Sequence, residues 1–395
     1  MSGALQGVFV LDFTAMIAGP YCTRLLADLG ADVVKVEPPH GDHMRLRSPL
    51  REGRSAYFGG LNCGKRSLAV DLGRPDGRRV VAALAERADV IVENFRPGVM
   101  KRLGLDYDAV SARNPGVVYC SISGFGQSGP DADRPAYAPI VHAACGYDLA
   151  NLSYQEGLER PLKTGLFVAD VLAGALAFGA IGAALARRAR TGEGEYVDLS
   201  LMDAMFGLMA YECAEAQFPG GPRRPLYRPV RARDGFVILA PVSRANFEAM
   251  ARAAGHPEWL DDPRFRDVPA RERHWDELMD LLDEWAGARS AAECEAIMTA
   301  GGVPCSRYYS VREAMQGAYA RGRGSFAPAR DAAGEFRVAE TPFKTRRART
   351  GVRPWVAPLG AHGAEVLVER LAMGGEEIAR LFRQGILVKE KEAST

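Results

Sequence analysis

Through the first two hundred residues, short apolar runs alternate with amphipathic stretches. Val8-Phe-Val-Leu-Asp-Phe13 is an apolar strand, and Gly19-Pro20 opens a helix whose Leu25, Leu26 and Leu29 share one face before Gly30 closes it. Asp32-Val-Val-Lys-Val-Glu37 is the next strand, ended by Pro38, Pro39 and Gly41. Leu68-Ala-Val-Asp71, a helix near Pro75 to Arg87 and Asp89-Val-Ile-Val-Glu93 repeat the unit, and Val117-Val-Tyr-Cys-Ser-Ile122 adds another strand. Near-continuous apolar strands between helices predict an α/β fold with a parallel sheet covered on both faces. Right-handed crossovers make its topology Rossmann-like.

Gly165 to Ala186 is apolar except for Asp170 and is nearly long enough to span a bilayer. A mid-membrane Asp costs about 2.5–3.5 kcal/mol on insertion scales, and Ala and Gly dominate the run. A buried helix in a soluble protein is expected instead. Its Ala175, Gly179 and Ala183 form a small-residue stripe that admits another backbone closely. An ionisable group near the start of such a helix is costly unless it has a task, so Asp170 stands out. Gly194 to Leu201 reads as a strand, and Met202, Met205 and Met209 mark a core-packing helix after it. The breakers from Phe218 to Pro225 suggest a boundary. Beyond them, 230–325 reads as a small α+β domain with one strand, Asp234 to Leu239, and helices from Ala245 to about Ala320. A late helix is expected near Gly363 to Leu371.

Composition narrows the chemistry. With 395 residues, 50 Lys+Arg against 49 Asp+Glu and 47% hydrophobic residues, the chain is an ordinary globular protein with no field for bulk nucleic acid. Seven cysteines without a Cys-x-x-Cys pair fit reduced thiols. The N-terminus runs into a strand without the basic region and apolar core of a signal peptide, so a cytoplasmic location is expected. Six histidines make no H-E-x-x-H, and His142-Ala-Ala-Cys145 alone approaches metal-ligand spacing, so no metal is expected. His142 itself lies in an apolar run and reads as a core histidine. No G-x-S-x-G elbow is present.

Gly124-Phe-Gly-Gln-Ser-Gly129 matches G-x-G-x-x-G after a strand, but Pro130 to Pro135 is a loop where a dinucleotide site needs a helix. Neither nicotinamide nor flavin is expected. Glu93-Asn-Phe-Arg-Pro-Gly98 ends a strand and opens a helix near Val99, with Arg96, Lys101 and Arg102 nearby. That arrangement suits a phosphate-bearing ligand.

These segments together resemble the class III CoA-transferases, the CaiB/BaiF family. The likeness is carried by Ala18-Gly-Pro-Tyr21, Leu26 to Glu37, Leu61-Asn-Cys-Gly-Lys-Arg-Ser-Leu-Ala-Val-Asp-Leu72, Glu93 to Gly98, Ser121 to Pro130, Thr191 to Asp203, Gly302-Val-Pro-Cys305 and Pro358 to Leu367. It implies an interlocked homodimer and a large Rossmann-like domain built from 1–229 and the returning 326–395, with 230–325 as the small domain between them. It makes Asp170 the nucleophile that carries CoA from an acyl-CoA to a free carboxylic acid through mixed anhydrides and an aspartyl-CoA thioester. Coenzyme A would be held by Asn94, Phe95 and Arg102, with Ala18, Val70 and Leu72 at the adenine and pantetheine end and Arg74 and Arg96 on phosphates. Tyr137 would line the same site.

Departures from the family pattern narrow the substrate. Ala138 follows Tyr137 where the oxalate branch has an acid, and only Gly220-Gly221 stands for that branch's multi-glycine loop. Oxalate is therefore disfavoured, and the Arg-rich chain suggests a dicarboxylate such as succinate. Pro38 replaces an adenine-contacting Arg of some members, leaving Arg45 or Arg47 to substitute. The alternatives are an α-methylacyl-CoA racemase, which would have to recruit His142 beside Asp170, and a non-catalytic CoA-binding protein.

Overall fold

Strands buried on both faces build the centre of the larger unit. The computed structural model describes residues 2–218, 220, 225–241 and 243–390. Gly221, one of the paired glycines, lies outside the described residues. Seven strands form the main sheet: β1 (Phe9–Asp12), β2 (Asp32–Glu37), β3 (Arg66–Val70), β4 (Val90–Glu93), β5 (Val118–Ser123), β6 (Glu195–Ser200) and β7 (Leu387–Val388). Their order is β7-β3-β2-β1-β4-β5-β6, and β1 through β6 pair in parallel. The sheet is not wholly parallel as expected, because β7 pairs antiparallel with β3. β7 comes more than 300 residues after β3, so no β-α-β crossover between the two constrains its direction.

Residue parity assigns the two faces. Leu11, Val34, Leu68 and Ile91 pack with helix α2 (Pro75–Ala85) and with Val366 and Leu367 of the late helix Gly363–Leu371. Val10, Val33, Val92 and Cys120 pack on the opposite side against α1 (Ala18–Asp28) and a 24-residue helix, Val168–Thr191. A second C-terminal helix, Gly375–Arg383, was not anticipated.

The apolar helix Val168–Thr191 is buried along one face only, through Ala169, Ala173, Gly174, Ala177, Ile181 and Ala184. By length and composition it could cross a membrane. Ala175, Gly179 and Ala183 are exposed, so the expected stripe does not make the close approach in this chain. Gly174 makes it instead: a Cβ there would lie 2.4 Å from the Ala18 carbonyl oxygen. The helix therefore docks on α1 along a face turned away from the predicted one.

The chain divides into two compact units, one running up to Ala214 and resuming at Arg321, the other spanning Glu215–Ala320. The smaller unit holds three antiparallel strands, Val230–Ala232, Gly235–Leu239 and Cys305–Arg307, where one was expected. The outer two are three residues long and show too little alternation to be read from sequence. Ser290-Ala-Ala-Glu293 and Ser310-Val-Arg-Glu313 form complete capping boxes on its helices.

Charges buried at the carboxyl ends of β1 and β2 tie the larger unit together. Asp12 is wholly buried, with Lys65 Nζ 3.0 Å from its Oδ2 and the Thr23 hydroxyl donating to the same oxygen at 2.7 Å. Lys65 also donates to the Pro20 carbonyl and to Asn62 Oδ1. Lys35 lies 3.1 Å from Asp42. Burial opposes the charge on Asp12, but Lys65, Lys35 and the Thr14 and Thr23 hydroxyls leave its carboxyl below the usual range. Burial drives Lys65 down to about 8 against the pull of Asp12. Removing one partner leaves the other charge unpaired, so Asp12→Ala should cost about 3–5 kcal/mol in urea unfolding. Arg79→Ala, which breaks the exposed Arg79–Glu377 pair, should cost less than about 1 kcal/mol in the same assay. Similar losses for both would show that removing Asp12 leaves no buried charge uncompensated.

Candidate active site

Reading across the sheet, strand order reverses between β1 and β4, and the crevice outside their carboxyl ends is where an open α/β sheet takes its ligand. The loop from Phe13 to Ile17 leaves β1 into that crevice and is held from three sides. Asp12 Oδ1 accepts from the Thr14 amide at 2.9 Å and its hydroxyl at 2.5 Å. Lys35 Nζ donates to the Thr14 carbonyl at 2.5 Å. Asn94, just beyond β4, accepts from the Ala15 N–H and donates to the Ala15 carbonyl, both at 2.8 Å. The next residue, Met16, sits at φ 68°, a left-handed conformation uncommon for a non-glycine residue. Ala18 follows as the first, buried residue of α1.

Asp170 lies one helical turn before Gly174, on the side of its helix that faces the start of α1. It is the third helical residue, after Phe167 at the N-cap, so it is not a capping aspartate. Among the described residues its carboxylate makes no hydrogen bond or ion pair, and burial alone pushes it up to about 6. Apolar side chains gather nearby: Ile17 and Phe58 are buried, with Met16, Tyr57 and Phe167 packed on them. Burial first and the Asp170 charge second raise the Tyr57 hydroxyl above its usual range, so the ring stands close to the carboxylate. Tyr57 was not singled out in the sequence, because a tyrosine before Phe58 in a short helix reads as packing.

Of the other sequence-assigned residues, Val70 ends β3 with Leu72 and Arg74 after it, and Phe95, Arg96 and Arg102 follow β4. Val70 is fully buried and pairs with Leu387, so its side chain is core and only its backbone reaches the edge. Leu72 and Phe95 pack half-buried on the core below the crevice. Arg74 is exposed and donates to the Gln384 carbonyl at 3.3 Å. Arg96 and Arg102 are exposed, and Arg96 borders a cavity of about 250 Å³ with Glu93, Gly98, Lys101 and Tyr196. Glu93 accepts from the Phe95 N–H at 2.9 Å, and burial lifts its carboxyl to about 7. Tyr137 is 67% exposed at the residue before helix Ala138–Ala144. The Asn94 side chain, assigned to CoA from the sequence, is spent on the Ala15 backbone. Arg45 is also committed: its guanidinium is bidentate on Glu37 at 2.7 Å and lies over the Phe58 ring. It is not free to replace the missing Arg at Pro38.

Two further readings change with the structure. The false dinucleotide motif turns on Gly126 at φ 89°, and the Gln127 N–H meets the Asp198 carboxylate at 3.0 and 3.1 Å. No helix begins there. His142 is fully buried, and its Nε2 accepts from the Ala169 N–H at 3.1 Å. Among the described residues no three His, Cys, Asp or Glu side chains are grouped to hold a metal ion.

A family model described as CoA-transferase family III matches residues 5–363. The chain is 33% identical over 399 residues to a succinyl-CoA–D-citramalate CoA-transferase of Chloroflexus aurantiacus, covering 97% of this chain and 98% of that one. It is equally 33% identical, over 422 residues, to a formyl-CoA:oxalate CoA-transferase of Streptomyces avermitilis, covering 98% and 100%. A crystal structure of a CaiB/BaiF family protein from Brucella suis superposes with a TM-score of 0.81 at 32% identity, covering 94% of this chain and 100% of that one.

The unpaired carboxylate has a consequence for stability. An acid raised from 3.8 to about 6 by folding holds a proton in the native state that the unfolded chain has lost. Stability therefore falls as pH rises between those values and stays lowered above them. Asp170→Asn should stabilise the protein by about 2 kcal/mol at pH 7 and by little at pH 4, read from urea midpoints. A stabilisation independent of pH would mean that Asp170 is not desolvated.

Proposed function

This chain belongs to CoA-transferase family III, and from that premise we propose that Asp170 is the nucleophile of its transfer reaction. A CoA-transferase moves CoA from an acyl-CoA to a free carboxylic acid, exchanging one thioester for another. The observation that carries the assignment is the isolation of Asp170: a half-buried carboxylate without a counter-charge among the described residues, on the helix that packs against the start of α1. Desolvation makes a carboxylate a better nucleophile.

The Asp170 carboxylate attacks the thioester carbonyl and expels CoA thiolate, leaving a mixed anhydride with the acyl group. The thiolate attacks the aspartyl carbonyl of that anhydride, releasing the donor acid and leaving CoA on Asp170 as a thioester. The acceptor carboxylate then attacks this thioester and expels CoA thiolate again. In the last step the thiolate takes the acceptor's acyl carbon, and Asp170 leaves as a free carboxylate. Both intermediates hydrolyse, so water must be excluded. Ile17, Phe58 and Phe167 supply the apolar wall for that.

Coenzyme A lies along the strand-end edge in this reading. Leu72 and Phe95 meet its apolar parts, Ala18 and the Val70 backbone border it, and exposed Arg74, Arg96 and Arg102 take phosphates. Asn94 serves by fixing the Ala15 backbone, and Tyr137 borders the acyl end. A dicarboxylate, with succinate as the donor acid, is the favoured substrate class. The name of the Chloroflexus relative supports it. Ala138, fully buried after Tyr137, offers no acid of the kind the oxalate branch has. The racemase alternative loses its base, because His142 Nε2 is occupied by the Ala169 amide.

The working form is an interlocked homodimer in the cytoplasm, with neither membrane nor nucleic acid as partner. Leu149, Leu162, Leu166, Val171 and Leu176 are all more than 40% exposed. A second copy of the chain would cover them, and with them the open face of helix Val168–Thr191.

Incubation with succinyl-CoA and mass spectrometry of the digested protein should find CoA on the Asp170 peptide. Hydroxylamine should trap the same peptide in the wild type and not in Asp170→Ala. An adduct on another residue, or one that persists in Asp170→Ala, would refute the assignment. Because only the ionised carboxylate attacks, the rate of CoA loading should rise with pH through about 6 and level off above it. A rate flat across that range would show that the proton on Asp170 does not matter.

A further inference from the structure

The first turn of an α-helix leaves N–H groups without intrahelical acceptors, and a polar side chain at the N-cap normally satisfies one of them. The helix that carries Asp170 lacks that device, because its N-cap is Phe167 and no side-chain cap bond is made there. The Val168 N–H finds the Leu166 carbonyl and the Val171 N–H the Phe167 carbonyl. Between them, the Ala169 N–H points to His142 Nε2 at 3.1 Å, from a residue 27 positions earlier. His142 sits in helix Ala138–Ala144, which begins directly after Tyr137.

We propose that His142 is the positioning residue of the site: a cap supplied from a neighbouring helix, holding the first turn and therefore Asp170 against the start of α1. This rests on Asp170 being the nucleophile. No side chain among the described residues grips the Asp170 carboxylate itself, so its place is set by the backbone that bears it. An Nε2 that accepts requires the proton on Nδ1, and Nδ1 is buried with no partner among the described residues. A buried donor left unpaired is costly, which is understandable only if the other nitrogen is needed. Burial also lowers the His142 pKa, although Asp148 pulls the other way, so the ring is neutral and able to accept. The ring stacks obliquely on Tyr147, 5.1 Å between centroids, which fixes its orientation. A histidine that only packed in the core would have both ring nitrogens satisfied, whereas here Nε2 alone is paired among the described residues.

The test compares wild type, His142→Leu and His142→Gln by quenched single-turnover loading of CoA onto the Asp170 peptide. Leu removes the acceptor. Gln restores an oxygen that can reach the Ala169 N–H. Leu should slow loading by roughly ten- to hundred-fold, as expected for a slightly displaced reacting group. The half-saturating acyl-CoA concentration should stay unchanged, and Gln should recover most of the rate. Loading by His142→Leu at the wild-type rate, or no recovery with Gln, overturns the proposal while leaving Asp170 as nucleophile. Absence of CoA from Asp170 in the wild type overturns both. Should the Leu variant fail to fold, ¹⁵N-histidine spectra of the unmodified protein at pH 7 still decide. A proton on Nδ1 and a bare Nε2 at His142 support the cap, and the opposite tautomer rejects it.

Discussion

The paired charges of Asp12, Lys65 and Lys35 set the geometry on which the crevice depends. Lys65 reaches Asp12 from the start of β3, Lys35 reaches the Thr14 carbonyl from β2, and Asp12 itself closes the turn at Thr14. Three neighbouring strands are thereby fixed in register at their functional ends, and the loop into α1 has one course open to it. Such an arrangement contributes little net stability compared with well-packed apolar side chains. Its value is in specifying a single conformation at the place where ligand binding needs one.

Two aspartates, Asp12 wholly buried and Asp170 half-buried, have opposite fates. Asp12 has two ammonium groups and two hydroxyls around it and stays ionised far below neutrality. Asp170 has none of these among the described residues, and burial lifts it to about 6. The contrast separates structure from chemistry. A carboxylate surrounded by donors is a good anchor and a poor nucleophile, because its lone pairs are already engaged. The anchored aspartate ends a strand and the proposed nucleophile sits on a helix, the two joined through the close approach of Gly174 to the Ala18 carbonyl.

Much of this could be read from the sequence, for identifiable reasons. The strands were legible because both faces are buried, which leaves apolar runs such as Val-Ile-Val before Glu93. Asp170 stands out in the sequence because it interrupts an otherwise apolar segment. Asn94 was found for its place at a strand end, but its action through Ala15 depends on a contact 79 positions away and leaves no local trace. His142 looked like core and is core, and only its distance to the Ala169 N–H shows a second role. Lys35 and Lys65 did leave a signal. The chain has seven Lys among 50 basic residues; Lys35 stands inside an apolar strand, where a surface cation has no reason to be, and Lys65 directly precedes one. The short strands of the smaller unit and β7 stayed hidden, since two or three residues carry no period.

The pairing of β7 with β3 bears on how the chain is made. Leu387 completes the ladder beside Val70, so β3 emerges from the ribosome about three hundred residues before its edge partner. At translation rates of roughly 5–20 residues per second, that interval lasts some 15–60 seconds. During it the smaller unit, Glu215–Ala320, is synthesised. The large sheet meanwhile presents an unpaired edge, the kind of surface that recruits a foreign strand. Pairing at that edge cannot begin until the chain has been made as far as Leu387. A truncation of a few residues before Leu387 would thus act as a permanently unfinished sheet, with solubility rather than catalysis as the first property lost.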